Sequence, residues 1–208
     1  KKMQAFLKSP EWKRTTAQGW GVNRAETAEI FTANQMYIRK SPDRAASLLG
    51  KLHCQHYGLP SFGKRLAAAT REFVPFSGDP AGWFAQNGRF TDFSGKTIEL
   101  PERTFATHTS GKYTAARVPL LDVIAEVLRQ PDEVWLNNYD GKAFDCLNYI
   151  RFYRDKAINV VCRIENGKTL AVRTWFEIAI RPTTRSGGKI APDKDPRLKY
   201  RRGLLVKK

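Results

Sequence analysis

The amino-acid sequence predicts an α+β fold, a helical N-terminal region followed by a helix packed on a four-stranded antiparallel sheet. Three observations carry that expectation. Pro119 to Gln130 places Leu121, Ile124, Ala125 and Leu128 on one helical face, and Pro131 ends it. Four strand-like segments follow, near 133–138, 148–154, 157–165 and 168–180. Their connections are short, so neighbours in sequence should pair antiparallel in space.

Taken in order, the first third reads as helical. Asn23 and Glu26 have capping-box spacing, for a helix reaching about Arg39. Ser41-Pro42 restarts a helix with a cap and a proline at its first position, and Gly58 closes it. A third helix is expected over Phe62 to Phe73. Val74 to Gly95 turns to Gly, Pro, Phe and Asn without periodicity and reads as a connector. This divides the chain into a helical region, 1–95, and a second domain, 96–208. Ile98 and Leu100 suggest a short strand, and Arg103 to Arg117 a loop or short helix. In the third strand Ile158, Val160, Cys162 and Ile164 share a face; in the fourth, Leu170, Val172, Phe176, Ile178 and Ile180 do so. Asn166-Gly167 between these strands is a hairpin turn signal, since both residues tolerate positive φ. Thr183 to Pro196 reads as a mobile loop, and Leu204 to Val206 as a returning edge strand.

Composition narrows the partner. The 208 residues carry 36 Lys and Arg against 20 Asp and Glu, a net charge of +16. Arg181 to Lys208 alone holds 10 basic and 2 acidic residues. Such a balance favours a polyanion, nucleic acid first and an anionic membrane surface second. The longest apolar stretches, around Val118–Leu128 and Trp175–Ile180, are too short to span a bilayer and are broken by Asp122, Glu126 and Glu177. No membrane partner is expected. Hydrophobic residues make up 41%, enough for a packed core. Cys54, Cys146 and Cys162 are odd in number and widely spaced, which argues for a reducing compartment. The opening Lys1-Lys2 without a methionine reads as a piece of a longer polypeptide.

The polar halves of the four strands point to chemistry. Pooled, they carry Glu133, Trp135, Asn137, Tyr149, Arg151, Tyr153, Arg163, Arg173, Trp175 and Glu177. Arginines interleaved with aromatic rings suit a sheet that stacks bases and holds phosphates, so this surface is expected to stand open opposite the helix. Lys112, Arg151, Tyr153, Arg173 and Trp175 are the expected RNA-binding residues; the competing account is a solvated ion pair for each arginine and the core for each ring. Cleaving RNA without a metal requires a base for the 2′-hydroxyl, an acid for the leaving oxygen and cations for the phosphorane. His108 titrates in the right range, Glu177 is a carboxylate beside Arg173 and Trp175, and Arg117 follows nine residues after His108. Thr174 interrupts the aliphatic face of its strand. A lone histidine in a surface loop is the competing account of His108. His53, Cys54 and His56 lack a further ligand nearby, so neither a metal nor another cofactor is expected.

One family shares this order of elements. The helix, Gln130-Pro131-Asp132-Glu133-Val134-Trp135, Phe152-Tyr153-Arg154-Asp155-Lys156, Ile158-Asn159-Val160-Val161, Thr174-Trp175-Phe176-Glu177 and Tyr200-Arg201-Arg202-Gly203-Leu204-Leu205 together resemble the phage-associated branch of the barnase–EndoU–colicin–RelE nuclease superfamily. That module occurs at the C-terminus of Mu F-like phage head-morphogenesis (minor capsid) proteins and in some polymorphic toxins. The resemblance covers roughly Phe90 to Lys208. It implies a helix-plus-four-strand scaffold and metal-independent RNA cleavage. It implies also an immunity protein or phage head and portal proteins as partners, and a place in the virion or in the bacterial cytoplasm after delivery. Catalytic residues differ between branches of the superfamily, so His108, Arg117, Thr174 and Glu177 rest on their chemistry alone. The leading expectation is a ribonuclease effector. ADP-ribosyl transfer by an Arg117–Thr174–Glu177 set, and a non-catalytic protein that binds DNA or docks on a capsid, are the alternatives.

Overall fold

The computed structural model describes residues 50–51, 53–137, 146–165, 169–179, 188 and 195–208. The expected Asn23–Arg39 helix, most of the Ser41–Gly58 helix, the Asn166-Gly167 turn and the loop from Thr183 lie wholly or largely outside them. Residues 53–56 are helical, and Gly58 ends that turn with φ at +63°.

Helix α1 (Phe62–Ala68) is capped by the Ser61 hydroxyl, which accepts from the Lys64 amide. It stops short of the expected Phe73, because the chain is captured elsewhere. The Arg154 amide donates to the Arg71 carbonyl at 2.8 Å, and the Arg71 guanidinium reaches Asp132. Within the expected connector, α2 (Pro80–Gln86) forms instead. Asp79 caps it by accepting from the Ala81 and Gly82 amides, with Pro80 at its first position. A hairpin of β1 (Arg89–Thr91) and β2 (Thr97–Glu99) comes next. Then follow α3 (Glu102–Thr109), α4 (Thr114–Arg117) and α5 (Val123–Arg129). The remaining strands are β3 (Glu133–Asn137), β4 (Cys146–Phe152), β5 (Ala157–Glu165), β6 (Thr169–Ile178) and β7 (Leu204–Lys207).

The α+β class stands, but the sheet is larger than four strands and mixed. Its order is β1-β2-β6-β5-β4-β3-β7. The expected meander β3 to β6 is antiparallel throughout. The β1–β2 hairpin joins one side through a parallel β2–β6 pairing, and β7 closes the other side against β3.

The open Arg-and-aromatic face does not exist as expected. Side-chain direction in each strand is set by register, and the polar halves of neighbouring strands are not on one side. Val134, Tyr149, Val160 and Trp175 form a cross-strand row. This row is buried with the apolar side of α5 in the larger core. Glu133, Ile150, Asn159 and Phe176 form the adjacent row on the opposite side. There α1 and the turn at Pro196–Tyr200 cover Trp135, Ile150 and Phe152. Both faces are therefore largely enclosed, and Trp135, Tyr149, Tyr153 and Trp175 are all buried.

β6 adds a further reversal. Val161 pairs with Thr174 while Cys162 pairs with Val172, so Arg173 is an extra residue in a β-bulge. Leu170 and Val172 face the larger core before the bulge, and Trp175 does so after it. Thr174 and Phe176 consequently point to the other side of the sheet. Strict alternation through 168–180 does not hold for this reason.

Two sequence motifs that resembled the nuclease branch meet in the core. Arg201 is fully buried and grips the fully buried Glu133 with both ends of its guanidinium, Nε to Oε2 and Nη2 to Oε1, each at 2.8 Å. The indole Nε1 of Trp135 and Nε of Arg65 also donate to that carboxylate. The Arg201 Nη1 donates to the Pro60 carbonyl. The Pro-Asp-Glu-Val-Trp and Arg-Arg-Gly-Leu-Leu elements are thus two halves of one buried tie between β3 and the C-terminal segment.

His53 forms a second tie. Its Nδ1 accepts the Gly203 amide at 2.8 Å, so its neutral form is the bonded one. Burial, aided by the Arg202 guanidinium and by His56, lowers its pKa from 6.5 to about 4. The unfolded chain therefore binds the proton first, and stability falls as pH drops from 6.5 towards 4, in total by about 3 kcal/mol. The native chain should lose its urea-midpoint advantage over His53→Asn across that window. An advantage that stays constant with pH would contradict this assignment.

Candidate active site

The parallel partner β2 covers β6 only at Leu170 and Ala171. Beyond that point the outer edge of β6 has no strand beside it among the described residues, and its carbonyls need other donors. Two side chains supply them. His108, in the last turn of α3, donates from Nε2 to the Arg173 carbonyl at 3.0 Å. Arg117, at the end of α4, donates from Nη1 to the Trp175 carbonyl. The indole Nε1 of Trp175 returns a bond to the Arg117 carbonyl at 3.0 Å.

The local sequence explains the placement. Phe105 is buried and stacks on Phe84 with ring centroids 4.4 Å apart, which anchors α3 against α2. His108 sits one helical turn on from Thr104, facing β6. Gly111 turns the chain with φ at +56°, and the short α4 brings Arg117 to the next carbonyl along the edge.

Arg117 is half-buried, and its guanidinium lies 5.2 Å from the centre of the Phe176 ring. Among the described residues it makes no ion pair, and its Nε is buried without a partner. Burial lowers its pKa, with Tyr113 and Tyr200 opposing the shift. The guanidinium opens on a cleft of about 680 Å³. Phe73, Phe176, Lys156 and Glu177 line the same cleft. Lys156 and Glu177 are paired at 3.3 Å, and the Lys156 ammonium lies 5.4 Å from the Phe73 ring centre. Behind Phe176 stands Tyr200, its ring 5.2 Å away; burial raises its phenol pKa against the pull of Arg117.

His108 is held between Trp175, 5.2 Å away ring to ring, and Tyr113, at 5.7 Å. The Arg173 carbonyl can only accept, so Nε2 carries the proton and Nδ1 is bare, buried and unpartnered. Burial holds its pKa below the usual 6.5; the nearby Arg117 and Arg173 guanidinia add to this, while the bond to the Arg173 carbonyl opposes it. The imidazole is therefore mainly neutral at pH 7. It lines a second, smaller concavity of about 350 Å³ together with Arg103, Thr104, Thr107 and Arg173.

The edge of β6 thus gathers most of the residues the sequence singled out. Arg117 and Glu177 share the larger cleft, and His108 and Arg173 share the smaller one. Trp175 lies buried between them, and Lys112 is exposed nearby over the Tyr113 ring. Thr174 is half-buried and, past the bulge, faces the side of the sheet opposite to Glu177. Arg151 and Tyr153 lie elsewhere, committed to α5. Arg151 donates to the Glu126 carboxylate at 2.6 Å and to the Gln130 carbonyl, and the Tyr153 hydroxyl donates to Glu126. Lys156 and Phe176 are the cleft residues that periodicity missed. Lys156 lies in the β4–β5 turn, and only strand register brings it to Glu177.

Among the described residues no three of His, Cys, Asp and Glu sit together as ligands. No helix there is long and apolar enough to cross a membrane.

No curated protein and no solved structure matches the chain. The sequence profile of a phage nuclease family matches residues 75–206, well over half of the chain and the whole stretch from α2 to β7. The chain belongs to the phage-Barnase-EndoU-ColicinE5/D-RelE like nuclease2 family.

Proposed function

We propose that this nuclease domain cuts RNA without a metal, by attack of a 2′-hydroxyl on the adjacent phosphodiester. The observation that carries the proposal is Arg117, a half-buried guanidinium with no carboxylate partner among the described residues, opening on the cleft that holds Glu177. A cation kept partly desolvated without a counter-ion is disfavoured unless an anion arrives to use it. A phosphate suits it, because the planar guanidinium can donate to two phosphate oxygens while Nη1 stays on the strand edge.

The roles follow from the remaining groups. Glu177 takes the 2′-hydroxyl proton as the 2′-oxygen–phosphorus bond forms and the bond to the 5′-oxygen breaks. Arg117 stabilises the charge gathered on the phosphorane oxygens. Lys156 donates the proton that the 5′-oxygen needs. Glu177, 3.3 Å away, then returns its proton to Lys156, and both groups recover their starting state. Phe73 and Phe176 offer ring faces to the flanking bases. His108 serves by position: its bond to the Arg173 carbonyl fixes the edge from which Arg117 reaches the substrate. Lys112 and Arg173 extend the basic track. Arg151, Tyr153 and Trp175 support it from within.

Strand alternation weighs against an Arg117–Thr174–Glu177 set for ADP-ribosyl transfer, since Thr174 and Glu177, three residues apart in unbroken register, face opposite sides of the sheet. The deciding experiment incubates the purified chain with RNA in EDTA. Cleavage yielding a 2′,3′-cyclic phosphate is expected, with none at a linkage whose 2′-position is deoxy. Cleavage of duplex DNA, or RNA cleavage that EDTA abolishes, would refute the proposal.

A further inference from the structure

The concavity on the other side of His108 is not used by the chemistry above. It is lined by Arg103, Thr104, Thr107, His108 and Arg173, with a volume of about 350 Å³. We infer that it is a second phosphate-binding subsite, holding the phosphate next to the one being cut. The inference rests on the ribonuclease reading and adds a residue, Arg103, that neither periodicity nor motif singled out.

The construction is specific. Arg103, Thr104, Thr107 and His108 fall at successive i and i+4 positions, so α3 presents them on one face. Arg103 is exposed and makes no ion pair among the described residues. Among the described residues Arg173 is held only by Glu165, at 3.4 Å with both side chains well exposed, a contact that phosphate readily displaces. The Thr107 hydroxyl is spent on the Arg103 carbonyl, while among the described residues the Thr104 hydroxyl makes no hydrogen bond and is available to donate. Neither Asp nor Glu lines the concavity. Two arginines lining one concavity, one of them unpaired among the described residues and the other in a weak, exposed ion pair, suit a dianionic or monoanionic oxyanion.

Spacing selects the neighbouring phosphate. His108 and Arg117 bond carbonyls two residues apart on one strand, Arg173 and Trp175, which puts the two clefts roughly 7 Å apart along the edge. Successive phosphates of an extended single strand are separated by a similar step. The bulge residue Arg173 is turned towards the smaller concavity because it has no partner in β5.

The test measures binding of a fluorescent 2′-O-methyl RNA hexanucleotide, which cannot undergo 2′-hydroxyl cleavage, over a range of NaCl. Arg103→Gln should weaken binding by about tenfold and lower the slope of log Kd against log salt by about 0.7, the value for one lost phosphate contact on a single strand. Arg129→Gln, an exposed cation on α5, should do neither. The five linkages are then replaced one at a time by uncharged methylphosphonate, and at one of them the Arg103→Gln effect should vanish. Equal affinity and slope for Arg103→Gln, or an effect that survives every replacement, overturns the subsite while leaving RNA cleavage standing. A native chain that neither cuts nor binds RNA overturns the ribonuclease reading, and the subsite with it.

Discussion

Arg117→Ala is expected to slow RNA cleavage by about 10²–10³-fold, or about 2.7–4 kcal/mol of transition-state stabilisation, while the fold survives. The two consequences separate because of where Arg117 sits. Its bond to the Trp175 carbonyl lies on an edge that water reaches once the side chain is gone, so its loss costs about 1 kcal/mol of stability. Its guanidinium lines a cleft in which, among the described residues, Glu177 is the only carboxylate. Arg117→Lys should recover only part of the rate, since one ammonium cannot hold both the carbonyl and two phosphate oxygens. Glu177→Gln should cost about 10²–10⁴-fold, the range for a general base. Single-turnover cleavage of a short RNA, with thermal unfolding run in parallel, reads both effects. Full activity in Arg117→Ala would remove the phosphate-binding role, and full activity in Glu177→Gln would remove the base.

How far the site was legible depends on which physical rule governed each residue. The helix expected over Pro119 to Gln130 shortens to α5, because a 3-10 turn at Val118–Leu120 takes its start. The strands β3 to β6 follow from local periodicity and stand within two residues of where the pattern put them. The edge strand β7 was readable for the same reason, an apolar run after a basic turn. The open face was not readable, because alternation says that a strand has two sides but not which side its neighbour shares. Tyr149 and Trp135 each looked like part of one surface, yet the β3–β4 register sends them to opposite sides. The bulge at Arg173 hides deeper still. One unpaired residue reverses Trp175, Phe176 and Glu177 without any mark in composition. Helix α2 is a different kind of miss. Asp79-Pro80 is a cap followed by a first-turn proline, but the Gly and Phe around it break the helical periodicity that would mark it.

The same contrast separates scaffold from site. The motifs that resembled the family most clearly, around Glu133 and Arg201, are buried and touch no cleft. The cleft residues Lys156 and Phe176 stand in two other elements of the resemblance, far apart in sequence, and come to one cleft only through strand pairing. A nuclease superfamily that keeps its scaffold while its catalytic groups differ is intelligible on this basis. The buried tie constrains two distant segments at once, whereas an edge beside a bulge accepts many side chains.

Glu133→Ala is the substitution expected to cost the fold most, about 3–5 kcal/mol, because it strands a charge rather than merely removing a contact. Arg201 has no exposed surface, and the Glu133 carboxylate answers both its Nε and its Nη2. Without the carboxylate, Arg201 keeps only the Pro60 carbonyl, and Arg65 and the Trp135 indole lose an acceptor as well. Against a typical total of about 5–15 kcal/mol, that loss should leave much of the chain unfolded at 37 °C. Arg201→Ala should be similarly severe, by leaving the carboxylate buried with two weaker donors. The pair Glu133→Leu with Arg201→Met discriminates between a favourable ion pair and a stranded charge. Matched apolar side chains remove both charges together, so the double variant should regain most of the stability that either single variant loses. Urea unfolding at pH 7 of the native chain, Glu133→Leu, Arg201→Met and the double variant, with equal slopes for the four chains, measures the cycle. Single substitutions that cost less than about 1 kcal/mol would place the tie at the level of a surface salt bridge. A double variant as unstable as the sum of the singles would mean that the geometry of the ion pair, not the avoidance of a lone charge, holds β3 to the C-terminal segment.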